Sequence, residues 1–222
     1  MTDKIGIIKK PINILFLGPS GSGKGTQAEM LAKKYNLKGL QSGAILRKWA
    51  KKKTDFGRKV QEAMDKGFVP SEWIFQITEE EFRKVDKKQG LMLENFSRIL
   101  PEIKNLYKVL AELNRKLDYI FLVNISDEKA IERMLKRGIC QDCEKVIILP
   151  DNIKEIVCSS CGGKIKRRKD ENIKSIKKRL SDYHDKTSKV LEYIRKNDRL
   201  IEINGAQSVE KVFEDIVGHI EK

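Results

Sequence analysis

INILFLGPSGSGKGT, residues 12–26, is the stretch on which the reading of this chain turns. Its first six residues form a short, largely apolar run with branched and aromatic members, and the run stops at Gly18. Such a segment is what a strand buried in a parallel sheet requires. From Thr26 onward Ala28, Leu31, Ala32 and Tyr35 recur at helical spacing, with Asn36 as the terminator. The opening therefore reads strand, glycine loop, helix. In that setting the spacing from Gly18 to Lys24 matches the G-x-x-x-x-G-K core of a phosphate-binding loop. Gly21, Gly23 and Gly25 let backbone amides close around phosphate oxygens, the helix N-terminus adds partial positive charge, and Lys24 supplies a mobile point charge. Ser22 and Thr26 complete the nucleotide-binding stretch. The hydroxyl residue that commonly follows the lysine and meets magnesium is displaced by one place, because Gly25 stands there and Thr26 comes next.

Working outward, apolar strands are expected around Leu91 to Glu94, Tyr119 to Ile125 and Leu200 to Asn204, with helices between them. A final long helix is expected from about Asp170 through Val190, broken from the last strand by Asn197 and Asp198. Strands alternating with helices predict an α/β fold of three layers, a central parallel sheet with ligands at the carboxyl ends of its strands. Two stretches interrupt the rhythm. Residues 41–72 are helical and basic with no clear strand, and residues 138–169 carry all the cysteines and paired glycines. Both read as insertions at the active-site edge, so the core is expected in residues 1–40, 73–137 and 170–222.

With 222 residues and 40% hydrophobic content the chain has material for one sizeable core and small inserted units, not for two full domains. The net charge of +14 suits phosphate-rich ligands, nucleic acid or an acidic membrane surface, but the lysines are spread along the chain and most read as solvated surface. No segment has the uncharged apolar length that a bilayer requires, and the basic N-terminus runs directly into the first strand. A soluble protein of the reducing cytoplasm is expected.

Cys140 and Cys143 form one C-x-x-C pair and Cys158 and Cys161 another. Two such knuckles can bring four thiolates around a tetrahedral zinc ion, and four thiolates leave no open position, so the metal would be structural. Disulfides or unliganded thiols are the alternatives.

GPSGSGKGTQAE resembles the phosphate loop of the adenylate kinase family, in which GKGT replaces the more widespread GKS or GKT. QSGAILR (residues 41–47) is similar to that family's S-T-G-D-x-L-R segment, GLMLENFSR (residues 90–98) to its G-F-L-L-D-G-F-P-R strand end, and RKDENIKSIKKRLSDYH (residues 168–184) to the segment after its lid. The four stand in the family's order and cover most of the chain. The resemblance implies a nucleoside monophosphate kinase that uses ATP and magnesium, with a zinc-stapled lid. A monophosphate acceptor is already anionic, so the reaction needs aligned nucleotides and neutralised repulsion, not a general base. By resemblance, Arg47 and Arg98 grip the acceptor phosphate, with Ser42 and the backbone of Phe68, Val69 and Pro70 lining the pocket. Arg133 and Arg137, at helical i, i+4 spacing, meet ATP. Arg168 and Arg179 bridge the transferring group when the lid closes, and Gln207 stands at a position associated with ATP's adenine. Glu94 ends an apolar strand where a carboxylate can orient magnesium through water.

The chain departs from the family at the acceptor site: Ala44 replaces the usual Asp, Glu94 the strand-end Asp, Asn95 the Gly and Ser97 the Pro. Glu102 stands where the family generally has a Gln that reads the acceptor adenine. A Gln amide offers one donor and one acceptor, whereas ionised Glu offers only acceptors, which guanine's two donors would satisfy better. AMP is the expected acceptor and another monophosphate such as GMP the alternative. A different class, a zinc and P-loop module for nucleic acid, is disfavoured because the basic run KIKRRK (residues 164–169) has no interleaved aromatics. A monomer is expected.

Overall fold

The structure, a computed structural model, describes residues 11–66, 69–143, 145–149, 157–167 and 172–222. The apolar run forms β1 (Asn13–Leu17), buried along its whole length, and the glycine loop leads into α1 (Lys24–Lys34). There follow β2 (Lys38–Gln41), α2 (Ser42–Ala50), α3 (Asp55–Asp65), α4 (Ser71–Arg83), β3 (Leu91–Glu94), α5 (Leu100–Glu112), β4 (Tyr119–Asn124) and α6 (Asp127–Leu135). Three short strands come next, β5 (Arg137–Cys140), β6 (Val146–Ile148) and β7 (Ile165–Arg167), then α7 (Ile173–Asn197), β8 (Leu200–Asn204) and α8 (Val209–Ile220).

The expected parallel sheet is present, in the order β2-β3-β1-β4-β8 with every pair parallel. Alternation along the strands divides the core in two. Leu15, Leu93 and Leu122 face α4, α5 and α7 through Ile77, Phe82, Ile103, Leu106 and Val190. Ile14, Phe16, Met92 and Phe121 face α1 and α8 through Leu31, Val212 and Ile216. Helices on both faces bury the central strands completely, which is why those strands read as continuous apolar runs.

Arg137 opens β5 just after α6 ends at Leu135, so it does not share a helix face with Arg133 as the i, i+4 spacing suggested, and two further expectations need adjusting. β2 was not foreseen, because it lies at the sheet edge and buries only Leu40. The long helix runs past Val190 to Asn197, since Ile194 continues the buried stripe one turn further.

The helices α2 and α3 pack onto the same core as the central strands through Ile45, Trp49 and Val60. Trp49, Phe56 and Trp73 stack edge to face with centroids 5.8 and 5.5 Å apart. Beside them the buried Glu81 accepts hydrogen bonds from Lys84 at 2.8 Å, Lys48 at 3.1 Å and Trp49 Nε1 at 3.4 Å, tying α2 to α4. Burial disfavours the Glu81 carboxylate, but the hydrogen bonds from Lys84 and Lys48 prevail and hold its pKa down at about 2. Among the described residues around 138–169, a three-stranded antiparallel sheet, β6-β5-β7, leaves Val146, Ile148 and Val157 exposed. Among the described residues no helix is long and apolar enough to cross a membrane.

Candidate active site

β1 ends against the glycine loop, and the loop's shape depends on left-handed backbone. Gly21 has φ 86° and Gly23, the N-cap of α1, has φ 95°. A β-carbon at Gly21 would also lie 2.9 Å from the Ala130 carbonyl of α6, so the loop is seated on that helix. Lys24 is buried and folded back over the loop. Its Nζ donates to Gly18 O at 2.8 Å, Pro19 O at 2.7 Å and Ser22 Oγ at 3.4 Å. Burial lowers its pKa to about 8; the Glu94 carboxylate opposes the shift, and the guanidinium groups of Arg98 and Arg137 reinforce it. Lys24, Glu94, Arg98 and Arg137 therefore share one electrostatic field, although they come from α1, the end of β3, the loop after it and the start of β5.

Arg133 braces the loop from the side. Its Nη1 donates to Gly205 O at 2.9 Å and Ser22 O at 3.5 Å, and its Nη2 to Gln207 O at 3.5 Å. Gln207 itself turns its side chain to Asp215 Oδ2 at 2.8 Å and Asn204 O at 3.1 Å, so its carbonyl and not its amide meets Arg133. Thr26 is exposed on the first turn of α1.

On the acceptor side Ser42 Oγ donates to Asn95 O at 2.7 Å, joining the start of α2 to the end of β3. Asn95 takes φ 61°, a conformation that asparagine tolerates better than other residues with a side chain. The family's glycine is thus replaced by the next most suitable residue. Arg47 is exposed on α2, and Val69 and Pro70 lead into α4, with Pro70 as its N-cap. Arg179 Nε donates to Ser175 O at 3.4 Å on α7. Phe68 and Arg168 lie outside the described residues.

Glu102 occupies the first turn of α5, where its Oε2 accepts from the Arg98 amide at 2.7 Å. This is a capping contact: a carboxylate near a helix N-terminus takes up an amide that would otherwise lack a partner. Burial raises the Glu102 pKa, and the Arg98 amide works against that rise. Glu102 is half-buried. It lines a cleft between α4 and α5 with Phe75, Thr78, Phe96 and Asn105.

The four cysteine sulfurs converge, all within 4.8 Å of one another. Cys140 and Cys161 approach to 3.4 Å and Cys143 and Cys158 to 3.6 Å, with all four thiols free. These separations exceed a disulfide bond by more than an ångström, and they match the edges of a zinc tetrathiolate, about 3.8 Å for bonds of about 2.3 Å. Amides favour the charged form here: the Ser160 amide leads in holding Cys158 down at about 6. At Cys161 the Gly163 amide acts in the same direction but is overcome by the Cys143 and Cys140 sulfurs, which push it up to about 12. Two thiols held down and crowded by two others form a donor set that a divalent cation satisfies.

Sequence reasoning passed over Gln41. Its Nε2 donates to Glu94 Oε2 in a short hydrogen bond that depends on strand register and has no signature in the sequence.

A family model for adenylate kinase matches residues 16–199. The chain is 36% identical over 210 residues to an adenylate kinase of Caldicellulosiruptor bescii, covering 93% of this chain and 97% of that one. It is 33% identical over 214 residues to an adenylate kinase of Archaeoglobus fulgidus, covering 95% and 99%. To one of Thermosipho africanus it is 32% identical over 215 residues, covering 95% and 100%.

Proposed function

The chain belongs to the adenylate kinase family and is a phosphotransferase, and from that premise we propose that it moves the terminal phosphoryl group of ATP to AMP, giving two ADP, reversibly. The observation that carries this reading is the field shared by Lys24, Glu94, Arg98 and Arg137 at the mouth of the glycine loop. In the forward direction an AMP phosphate oxygen forms the new bond to the terminal phosphorus of ATP, the bond from that phosphorus to the bridging oxygen breaks, and ADP leaves with the electron pair. No proton has to move at the reacting atoms. Catalysis then consists of alignment and of charge placed where it develops.

In this scheme the amides of Gly21, Ser22, Gly23, Gly25 and Thr26 hold the donor phosphates, and Lys24 leaves its carbonyl partners for the transferring group. Arg133 holds the loop against the strand-end loop that carries Gly205 and Gln207, and Arg137 with Arg168 and Arg179 closes over the phosphates. Arg98 and Arg47 take the acceptor phosphate, beside Ser42 and the backbone of residues 68–70. A single strand-end carboxylate beside a phosphate site suits magnesium, which takes few protein ligands. Glu94, through water, and Thr26 would hold it, and when bound it neutralises polyphosphate charge. The four cysteines would hold zinc as a staple of the lid, residues 138–169, and residues 41–72 form the acceptor-binding unit. Reduced thiols fit a cytoplasmic enzyme, and we take it to act as a monomer.

A second reading concerns the acceptor base. Glu102 is held by the Arg98 amide and offers only acceptors while ionised, which favours guanine over adenine on its remaining lone pairs. A coupled assay with ATP and each of AMP, GMP, CMP and UMP decides. Turnover with AMP above the others is the expected result, turnover with GMP above AMP moves the assignment to guanine, and ATP binding without turnover on any acceptor overturns the proposal.

A further inference from the structure

Glu94 is buried, and a buried carboxylate requires hydrogen-bond partners. Two side-chain amides supply them, one to each oxygen. Gln41 Nε2 donates to Oε2 in a short hydrogen bond, and Asn95 Nδ2 donates to Oε1 at 3.3 Å. The pairing of β2 with β3 places Gln41 directly beside Glu94. Gln41 is also the N-cap of α2, yet its side chain makes no capping hydrogen bond; it is committed to Glu94 instead. Ser42 closes the same knot through Asn95 O at 2.7 Å. The carboxylate that this knot holds lies flat against the donor loop, where a β-carbon on Gly25 would sit 3.5 and 3.6 Å from its two oxygens and 3.8 Å from Gln41 Nε2.

The chemistry of the partners is informative. A lysine at position 41 would cancel the carboxylate's charge and compete with any cation, and an acid would repel it. Two neutral amides fix the carboxylate's rotation while leaving its full negative charge and its remaining lone pairs available. We propose that Gln41 is a positioning residue for the phosphoryl transfer: its amide sets the orientation of the Glu94 carboxylate toward the donor loop and the divalent ion that arrives with ATP, and ties that orientation to the first turn of the acceptor helix. The proposal rests on the kinase reading above. It accounts for an otherwise isolated feature, a longer acid at the strand end accompanied by a long amide on the neighbouring strand.

The test uses the full chain with Gln41→Met, which keeps length and removes the donor, and Gln41→Glu, which keeps shape and opposes acceptor to acceptor. Mn2+ is the probe ion, bound with ATP in the absence of any acceptor and read by its electron paramagnetic resonance line shape. Expected are a broadened, heterogeneous Mn2+ spectrum in both variants and a kcat lowered about tenfold in Gln41→Met and further in Gln41→Glu, with KM for ATP little changed. Glu94→Gln should then cost less in the Gln41→Met background than in the wild type, because the orientation it removes is already lost. An unchanged Mn2+ spectrum with kcat within about twofold of wild type overturns the proposal, as does full additivity of the two substitutions. If the wild type transfers phosphate to no acceptor, the kinase reading fails, while the Mn2+ spectra of wild type and variants still decide the role of Gln41.

Discussion

The helical unit of α2, α3 and α4 and the three-stranded sheet of β5, β6 and β7 hold their shapes by different chemistry. The helical unit buries Trp49 and Val60, stacks Phe56 between two tryptophans and locks α2 to α4 through Glu81. Among its described residues the lid has three short strands, leaves Val146, Ile148 and Val157 exposed, and gathers four sulfurs in one cluster. A segment with several helical turns can bring apolar faces together. Three strands of three or four residues cannot, and a metal held by the four sulfurs would supply folding energy locally.

The harshest way to break this comparison is to remove the staple. Cys158→Ser, or stripping the metal with a chelator, should unfold the lid and detach Arg137 and the lid's return from the transferring group. Transfer should fall on the order of 10²- to 10³-fold, as when a group that stabilises transition-state charge is lost. The tryptophan emission of the helical unit and the main thermal transition should stay in place, because neither depends on the sulfurs. Full activity in protein shown by elemental analysis to contain no metal would sink the staple.

The complementary break is in the helical unit. Glu81→Gln removes the charge that Lys48 and Lys84 share and should cost about 2 kcal/mol, with metal content unchanged. The pH dependence gives the sign. Glu81 has a folded pKa of about 2 against 4.5 in the unfolded chain, so its contribution is complete above 4.5 and is lost as the pH falls toward 2. Acid unfolding followed by tryptophan emission should therefore lose part of its steepness in the variant. A variant with the same stability and the same acid profile would show that the burial cost of Glu81 cancels its pairing.

What the sequence disclosed follows the same division. β1, the glycine loop and the start of α1 were legible because continuous burial and phosphate contact each force a recognisable pattern, and the cysteines were legible because ligand spacing is local. β2 was not, since an edge strand with one buried residue leaves no periodicity. The end of α7 was placed one turn short, although the apolar pattern continues through Leu191 and Ile194 up to the break that Asn197 and Asp198 mark. Gln41 was illegible as a partner of Glu94 because the contact exists only through register between strands 53 residues apart. Glu102 was read as a departure at the acceptor site, and its hold on the Arg98 amide could not be foreseen, since a first-turn carboxylate can cap its own helix or face a ligand.

That hold allows a finer test at the margin of the helical unit, where α4 meets α5. Glu102→Ala frees the Arg98 amide and should raise the acceptor KM about fivefold, the equivalent of one hydrogen bond. Glu102→Gln keeps an acceptor for that amide, so it should restore KM while shifting base preference toward AMP. Equal KM values in all three proteins would mean that the contact positions nothing that the acceptor feels.

The smallest expected effect is read at the loop itself, where guanidinium groups from two sides bear on one charge. Lys24 titrates at about 8 because of burial first, with Arg98 in the loop after β3 weighing more than Arg137 at the start of β5, where the lid begins. In the unliganded enzyme its neutral form should dominate above that pH, so affinity for metal-free ATP should fall between about pH 8 and about pH 10. The unliganded protein should gain stability over the same interval, because the unfolded chain, with its lysine at the ordinary 10.5, then binds more protons than the native state. Removing either guanidinium relieves the repulsion and moves the alkaline limb of ATP binding upward, more for Arg98→Gln than for Arg137→Gln. Metal removal, if it releases the lid as a unit, should reproduce the Arg137→Gln displacement and leave the Arg98 contribution intact. Calorimetric ATP binding across that pH range measures all three, and a chelated enzyme whose limb does not move would mean that Arg137 stays in place without the staple, which dissolves the contrast between the two insertions.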